Sequence, residues 1–190
     1  MSEKATFRYT TVELVFIAIV GVVFGVVNNL LGIVYTAINA INPMLALLFA
    51  PFGIVALLAG YVVRKPGAAL LAGIINGLVQ FLAGNPAGLW ALGFGVAHGV
   101  GTEIVFAAFR YRNYNWLACF LAGFLDGVCN MVLVVIAFGM LTFMPMGQVL
   151  LSVVIASVTS GVEAGLLGKV VSELLYRTGI LKSFLIAQQR

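Results

Sequence analysis

Six apolar stretches, each long enough to cross a bilayer as a helix, are separated by short gaps, and the basic residues fall in every second gap. Lys4 and Arg8 precede the first stretch, Arg64 and Lys65 follow the second, Arg110 and Arg112 follow the fourth, and Arg177 and Lys182 follow the sixth. The intervening gaps, 36–42, 84–88 and 140–148, carry no charged residue. This asymmetry is the positive-inside pattern, and it predicts an all-α, polytopic protein of the cell membrane: a compact six-helix bundle with both termini cytoplasmic.

Composition agrees. Apolar residues make up 63% and charged residues 8%, against about 25% charged in a soluble domain. The net charge of +4 is topological, and no basic run interleaved with aromatics points to nucleic acid. The run from Val12 to about Val34 is too long for the core of a cleaved signal peptide and reads as the first span. Residues 1–190 are expected to form a single membrane domain. Cys119 and Cys129 sit ten residues apart on one helix, about 15 Å along its axis, and cannot pair with each other.

The spans are expected at about 11–34, 43–63, 67–83, 87–109, 116–139 and 149–175. Thr10 and Glu13 have capping-box spacing at the first start, and Asn42-Pro43 and Asn85-Pro86 open the second and fourth with a cap followed by Pro. Pro51 should bend the outer half of the second span. Small residues recur four apart on most helices, including Gly21 and Gly25, Gly73 and Gly77, and Gly123 and Gly127, which lets helix backbones approach closely.

Polar residues inside the spans demand an explanation. A carboxylate at a helix centre costs about 2.5 to 3.5 kcal/mol on insertion scales and should face a cavity or partner. Glu103, Asp126 and Glu163 are such groups, with His98 beside them. Lys169 is the nearest cation, within reach only of the deeper glutamates. Asn76 and Gln80, and Asp126 and Asn130, are four apart and share a helical face. With Asn28 and Asn29 of span 1, and with Tyr35 and Trp90 near the outer mouth, these residues are expected to line a pocket open to the outside, with carboxylates at its floor.

Such a pocket suits a cationic or amino-substituted aromatic ring, which stacks on Trp and donates to carboxylates. A phosphate ester would want Arg or Lys, and the outer half has neither. The chain carries no HExxH, GxSxG or phosphate-binding Gly-rich motif, so neither enzymatic activity nor a cofactor is expected. One histidine is too few for a dedicated metal site. Two other classes stay open: a proton-coupled secondary carrier using the intramembrane Glu, Asp and His as a relay, and, with least support, an intramembrane enzyme acting on lipid.

Three segments carry a family resemblance: Arg64-Lys65-Pro66-Gly67-Ala68-Ala69, Gly99-Val100-Gly101-Thr102-Glu103-Ile104-Val105-Phe106, and Arg110-Tyr111-Arg112-Asn113-Tyr114-Asn115. In this order and spacing they resemble the YkoE family of S components of energy-coupling-factor vitamin transporters, associated with thiamin and its hydroxymethylpyrimidine precursor. The resemblance covers spans 2 to 5 best. It implies a subunit that captures thiamin or the pyrimidine at the outer face and works with a transmembrane coupling protein and two ATP-binding subunits. It also implies that small residues of span 1, here Ala18, Gly21 and Gly25, meet the coupling protein, and that Glu103 pairs with the aminopyrimidine. His98 stands where the family pattern would suggest Gln.

Overall fold

The computed structural model describes residues 8–181 together with 183, 184 and 186; Lys4 and Lys182 lie outside the described residues. Among the described residues every regular element is helical.

Helix α1, Thr11–Ile41, opens with the expected capping box: the Thr10 N–H donates to Glu13 Oε2 at 2.7 Å, and the Glu13 N–H donates to Thr10 Oγ1 at 3.3 Å. It runs seven residues past the expected end, because 34–41 holds no Gly or Pro to stop it. At about 1.5 Å per residue it exceeds the hydrocarbon thickness, so it must tilt or project. Asn42 ends it and caps the next helix, accepting from the Met44 N–H at 2.9 Å.

The second span is broken, where only a bend was expected. Helix α2 covers Pro43–Ala46, a 3-10 turn covers Pro51–Gly53, and α3 follows at Ile54–Val63. Pro51 brings no N–H to the backbone ladder, and its ring blocks continuation of the preceding turn. The inner half of this span is the axis of the bundle: every residue from Val55 to Val63 is buried.

The remaining elements are α4, Ala68–Leu82; α5, Trp90–Ala108; α6, Trp116–Ala137; a 3-10 turn, Met140–Thr142; α7, Met146–Ser160; a π segment, Gly161–Leu167; and α8, Gly168–Arg177. Helices α7 and α8 with the π segment form one continuous apolar span. Asn85-Pro86 opens a turn three residues before α5 proper, with Asn85 Oδ1 accepting the Ala87 N–H at 2.9 Å. Asn115 caps α6 by accepting from the Ala118 N–H at 2.8 Å.

Helix α4 lies between α1 and α5, and α6 packs on α5 and on the α7–π span. These contacts need glycine. A Cβ on Gly73 would stand 2.3 Å from the Gly95 carbonyl oxygen, and one on Gly123 would stand 2.5 Å from the Gly165 nitrogen. Gly21 and Gly25 serve the same purpose. Their added carbons would fall 2.7 Å from Ile75 and 2.6 Å from Val79. The span 1 glycines therefore seat α1 on α4, which corrects the expectation that they face a partner protein. Ala18 remains on the outward side, in a shallow groove with Ile19, Val22 and Val23.

Candidate functional site

Polar side chains from three elements converge on the 3-10 turn that interrupts the second span. From α1, Asn28 Nδ2 donates to the Phe52 carbonyl at 2.9 Å. From the π segment, Glu163 Oε2 accepts the Ala50 N–H at 2.6 Å. From α6, the Asp126 carboxylate lies so close to Gly53 that a Cβ there would overlap it. Tyr35 meets the Phe52 ring edge-on at 6.0 Å, as does Phe49. A broken helix leaves backbone N–H and C=O groups without intrahelical partners, and inside a membrane these must be satisfied by protein. Glu163 and Asn28 do this for Ala50 and Phe52.

Behind the turn lies a buried chain linking α5, α6 and α7. His98 Nδ1 bonds Asp126 Oδ1, and His98 Nε2 lies 3.1 Å from Asn130 Nδ2. Ser160 Oγ donates to Asp126 Oδ2 at 3.1 Å. If Asn130 donates to Nε2, the Nδ1 proton goes to the carboxylate, and both Asp126 oxygens are satisfied. Asp126 is 0% exposed and His98 7%. Gly101 permits this closeness, since a Cβ there would stand 2.4 Å from the Asp126 Cα.

A row of amides runs from α4 toward α1. Asn85 Nδ2 donates to Gln80 Oε1 at 3.0 Å, Gln80 Nε2 to Asn76 Oδ1 at 2.6 Å, and Asn28 Nδ2 to the same Asn76 oxygen at 3.4 Å. Asn28 Oδ1 and Asn76 Nδ2 are buried and have no hydrogen-bond partner. Asn29 lies outside the row, donating to the Ala83 carbonyl at 3.2 Å.

Three expected members stand elsewhere. Glu103 is at the basic end of the bundle, where Oε1 accepts from the Gly67 N–H and the Tyr111 hydroxyl, each at 2.6 Å, and Oε2 from the Ala69 N–H at 3.1 Å. Its carboxylate caps α4, whose first turn has no other side-chain cap. Trp90 is 42% exposed and lines an apolar groove of about 800 Å³ between α5 and α6, with Gly93, Val100, Cys129 and Ile136. That groove is lined by none of the amides or carboxylates around the 3-10 turn. Lys169 does not neutralise Glu163 or Glu103: it pairs with Glu173 at 2.9 Å and donates to the Tyr61 hydroxyl and the Tyr114 carbonyl.

The basic end is tied together by further contacts. Lys65 bonds Glu13 at 2.7 Å, Tyr9 donates to the Pro66 carbonyl at 2.5 Å, and the Arg64 guanidinium lies 4.4 Å from the Tyr114 ring centre. Burial, followed by the charges of Glu103 and Glu13, pushes the Tyr9 hydroxyl up to about 12. Burial and the Glu103 carboxylate likewise raise Tyr111. Arg64, Arg110 and Tyr111 all have positive φ, which compresses both connections into tight turns.

Sequence reasoning passed over Ser160, Asn85, Phe52 and Gly53. Ser and Asn are common packing residues in membrane helices, and a carbonyl or glycine gives no chemical signal until the span is seen to break.

The chain matches a family described as the permease component of an ABC-type cobalt transport system over residues 12–129. It is 34% identical over 177 residues, 88% of each chain, to a protein of Bacillus subtilis (strain 168) named putative HMP/thiamine permease protein YkoE. It superposes on the crystal structure of an S-component of an ECF transporter with a TM-score of 0.90 and 32% identity, covering 96% of this chain and 93% of that one. The chain is thus a multi-pass cell-membrane protein that belongs to the YkoE family of energy-coupling-factor S components, the transporter subunits for a vitamin or its precursor.

Proposed function

We propose that this chain captures thiamin or its hydroxymethylpyrimidine precursor at the outer face and delivers it inward in an ATP-driven importer, together with a transmembrane coupling protein and two ATP-binding subunits. The basic end lies in the cytoplasm under this reading, as the positive-inside pattern requires. The observation that carries the proposal is the convergence of Asn28, Asn76, Asp126 and Glu163 on a broken span beside Phe52, Tyr35 and Phe49. Irregular backbone at membrane depth marks binding sites in transport proteins, because the freed backbone groups and their partners line a cavity.

The supporting residues are Asn28, Asn29, Tyr35, Asn76, Gln80, His98, Asp126, Asn130 and Glu163, which supply hydrogen-bonding groups, negative charge and ring faces for an aminopyrimidine. The name of the Bacillus relative, an HMP/thiamine permease protein, points to the same substrate class. Among the described residues no three His, Cys, Asp or Glu side chains come together as a metal site would require. The outward side of α1 around Ala18 is the surface assigned to the coupling protein, with Gly21 and Gly25 behind it.

The test is calorimetric titration of the detergent-purified chain with thiamin and with hydroxymethylpyrimidine, followed by uptake in vesicles with and without partner subunits. Saturable binding with uptake only when partners and ATP are present supports the reading. A second reading, a proton-coupled carrier, draws on the buried His98–Asp126–Ser160 chain. Uptake by this chain alone, steeply dependent on pH, would establish it instead.

A further inference from the structure

We propose that Asn28 and Asn76 read the polar edge of the heterocycle, Asn28 Oδ1 accepting from its exocyclic amine and Asn76 Nδ2 donating to a ring nitrogen. This rests on the vitamin-binding reading and names the two residues that set its specificity.

The orientation of these amides is fixed by backbone groups at both ends of the row. Asn85 Oδ1 accepts the Ala87 N–H, so Asn85 Nδ2 must be the donor to Gln80 Oε1. Gln80 Nε2 must then donate to Asn76 Oδ1. From the other end, the Phe52 carbonyl can only accept, so Asn28 must turn its Nδ2 toward it. Turning over any single amide would set two oxygens or two NH2 groups against each other. What remains is one acceptor, Asn28 Oδ1, and one donor, Asn76 Nδ2, both buried and without partners.

Both residues are 0% exposed, and water in the membrane interior is not the default partner for either. Leaving two amide groups unpaired in the core opposes folding, and a protein that keeps them gains when a ligand supplies the missing complement. A ligand that satisfies both carries an N–H donor and a lone-pair acceptor, as an amino-substituted nitrogen heterocycle does. Phe52, whose carbonyl Asn28 holds, carries a ring packed edge-on with Tyr35 and Phe49 at the same turn. The Asn28 bond to the Phe52 carbonyl also ties the reader to the break in the second span, so occupancy and the position of that turn are linked.

The proposal separates two near-identical molecules. Replacing the 4-amino group of the pyrimidine by a 4-oxo group turns the exocyclic donor into an acceptor and, in the lactam form, the adjacent ring nitrogen into an N–H donor, so Asn28 Oδ1 and Asn76 Nδ2 are both opposed. Calorimetry on the full detergent-purified chain would compare hydroxymethylpyrimidine with its 4-oxo counterpart for wild type, Asn28→Leu and Asn76→Leu. Wild type is expected to favour the amino form by about tenfold or more, the worth of one hydrogen bond. Asn28→Leu should cut that ratio several-fold, because it removes one of the two opposed contacts. Asn76→Leu should weaken the amino form and lower the ratio in the same way. A variant merely damaged in folding weakens both ligands and leaves the ratio intact, so an unchanged ratio in Asn28→Leu overturns the assignment. If the variants cannot be purified, wild type decides: equal binding of the two forms overturns this assignment alone, and binding of neither overturns the vitamin reading with it.

Discussion

Glu163 Oε2 accepts the backbone N–H of Ala50 at 2.6 Å, joining residues 113 apart in the chain. One end of this bond is a π segment, where an extra residue per turn shifts the helical register, and the other is the break before Pro51. Two irregularities in separate spans thus complete each other.

Glu163→Gln keeps an acceptor for Ala50 and should shift the thermal unfolding midpoint in detergent only slightly. Glu163→Leu leaves the N–H unpaired and should cost about 1–3 kcal/mol. Similar midpoints for the two variants would mean that this bond does not secure the break.

Gly53 admits no side chain. Its Cβ would lie 2.8 Å from the Asp126 Cγ and 3.1 Å from the Ala164 Cβ, so Gly53→Ala forces Asp126 off His98 and Ser160. A loss of about 1–3 kcal/mol is expected from the overpacking. In the Gly53→Ala, Asp126→Gly double variant the two costs should be strongly non-additive, because the second change removes the atoms the first one strikes. Simple additivity in thermal melts would show that the two sites do not share a contact.

Glu103 caps α4 and holds Tyr111. Glu103→Ala should lower stability by about 1–3 kcal/mol, through stranded backbone donors, and leave the dissociation constant for the vitamin within about twofold. A large loss of affinity with an unchanged melting point would return Glu103 to the binding site.

Alkaline titration probes the basic end. The Tyr9 hydroxyl donates to the Pro66 carbonyl and ionises only near 12, above its ordinary value of 10.0. Its folded-state value is raised, so its contribution to stability is complete below about pH 10 and is lost as pH rises toward 12. Ultraviolet absorbance of phenolate should show a late-titrating group that disappears in Tyr9→Phe. An unchanged titration curve in that variant would contradict the buried hydroxyl.

Much of the architecture could be read directly from residue order. The start of α1 followed from Thr10 and Glu13, the turn at Asn42-Pro43 from its cap, and α6 from the polar loop ending at Asn115, because these signals act within one helical turn. Asp126 and Asn130 were expected on one helical face with His98 near the carboxylates, since buried polar atoms must find partners. Glu103 was misplaced because depth counted along a helix does not say which neighbouring backbone waits at that level. It meets the N-terminus of α4, which Pro66 and Gly67 bring beneath it. Trp90 stands in an apolar groove apart from the polar cluster for a related reason: hydropathy does not tell which of two apolar sides of a helix faces a given neighbour.

The number of apolar spans, the placing of basic charge in alternate connections and membrane residence were determined by sequence alone, because each depends on the cost of moving a local group from water into lipid. Tertiary structure decided that Pro51 breaks its span, that Gly21 and Gly25 face α4, and that Asn28 and Asn76 end as an unpaired acceptor and donor. Those outcomes depend on which atoms of distant segments come within hydrogen-bonding or van der Waals distance, and only the packed bundle sets those distances.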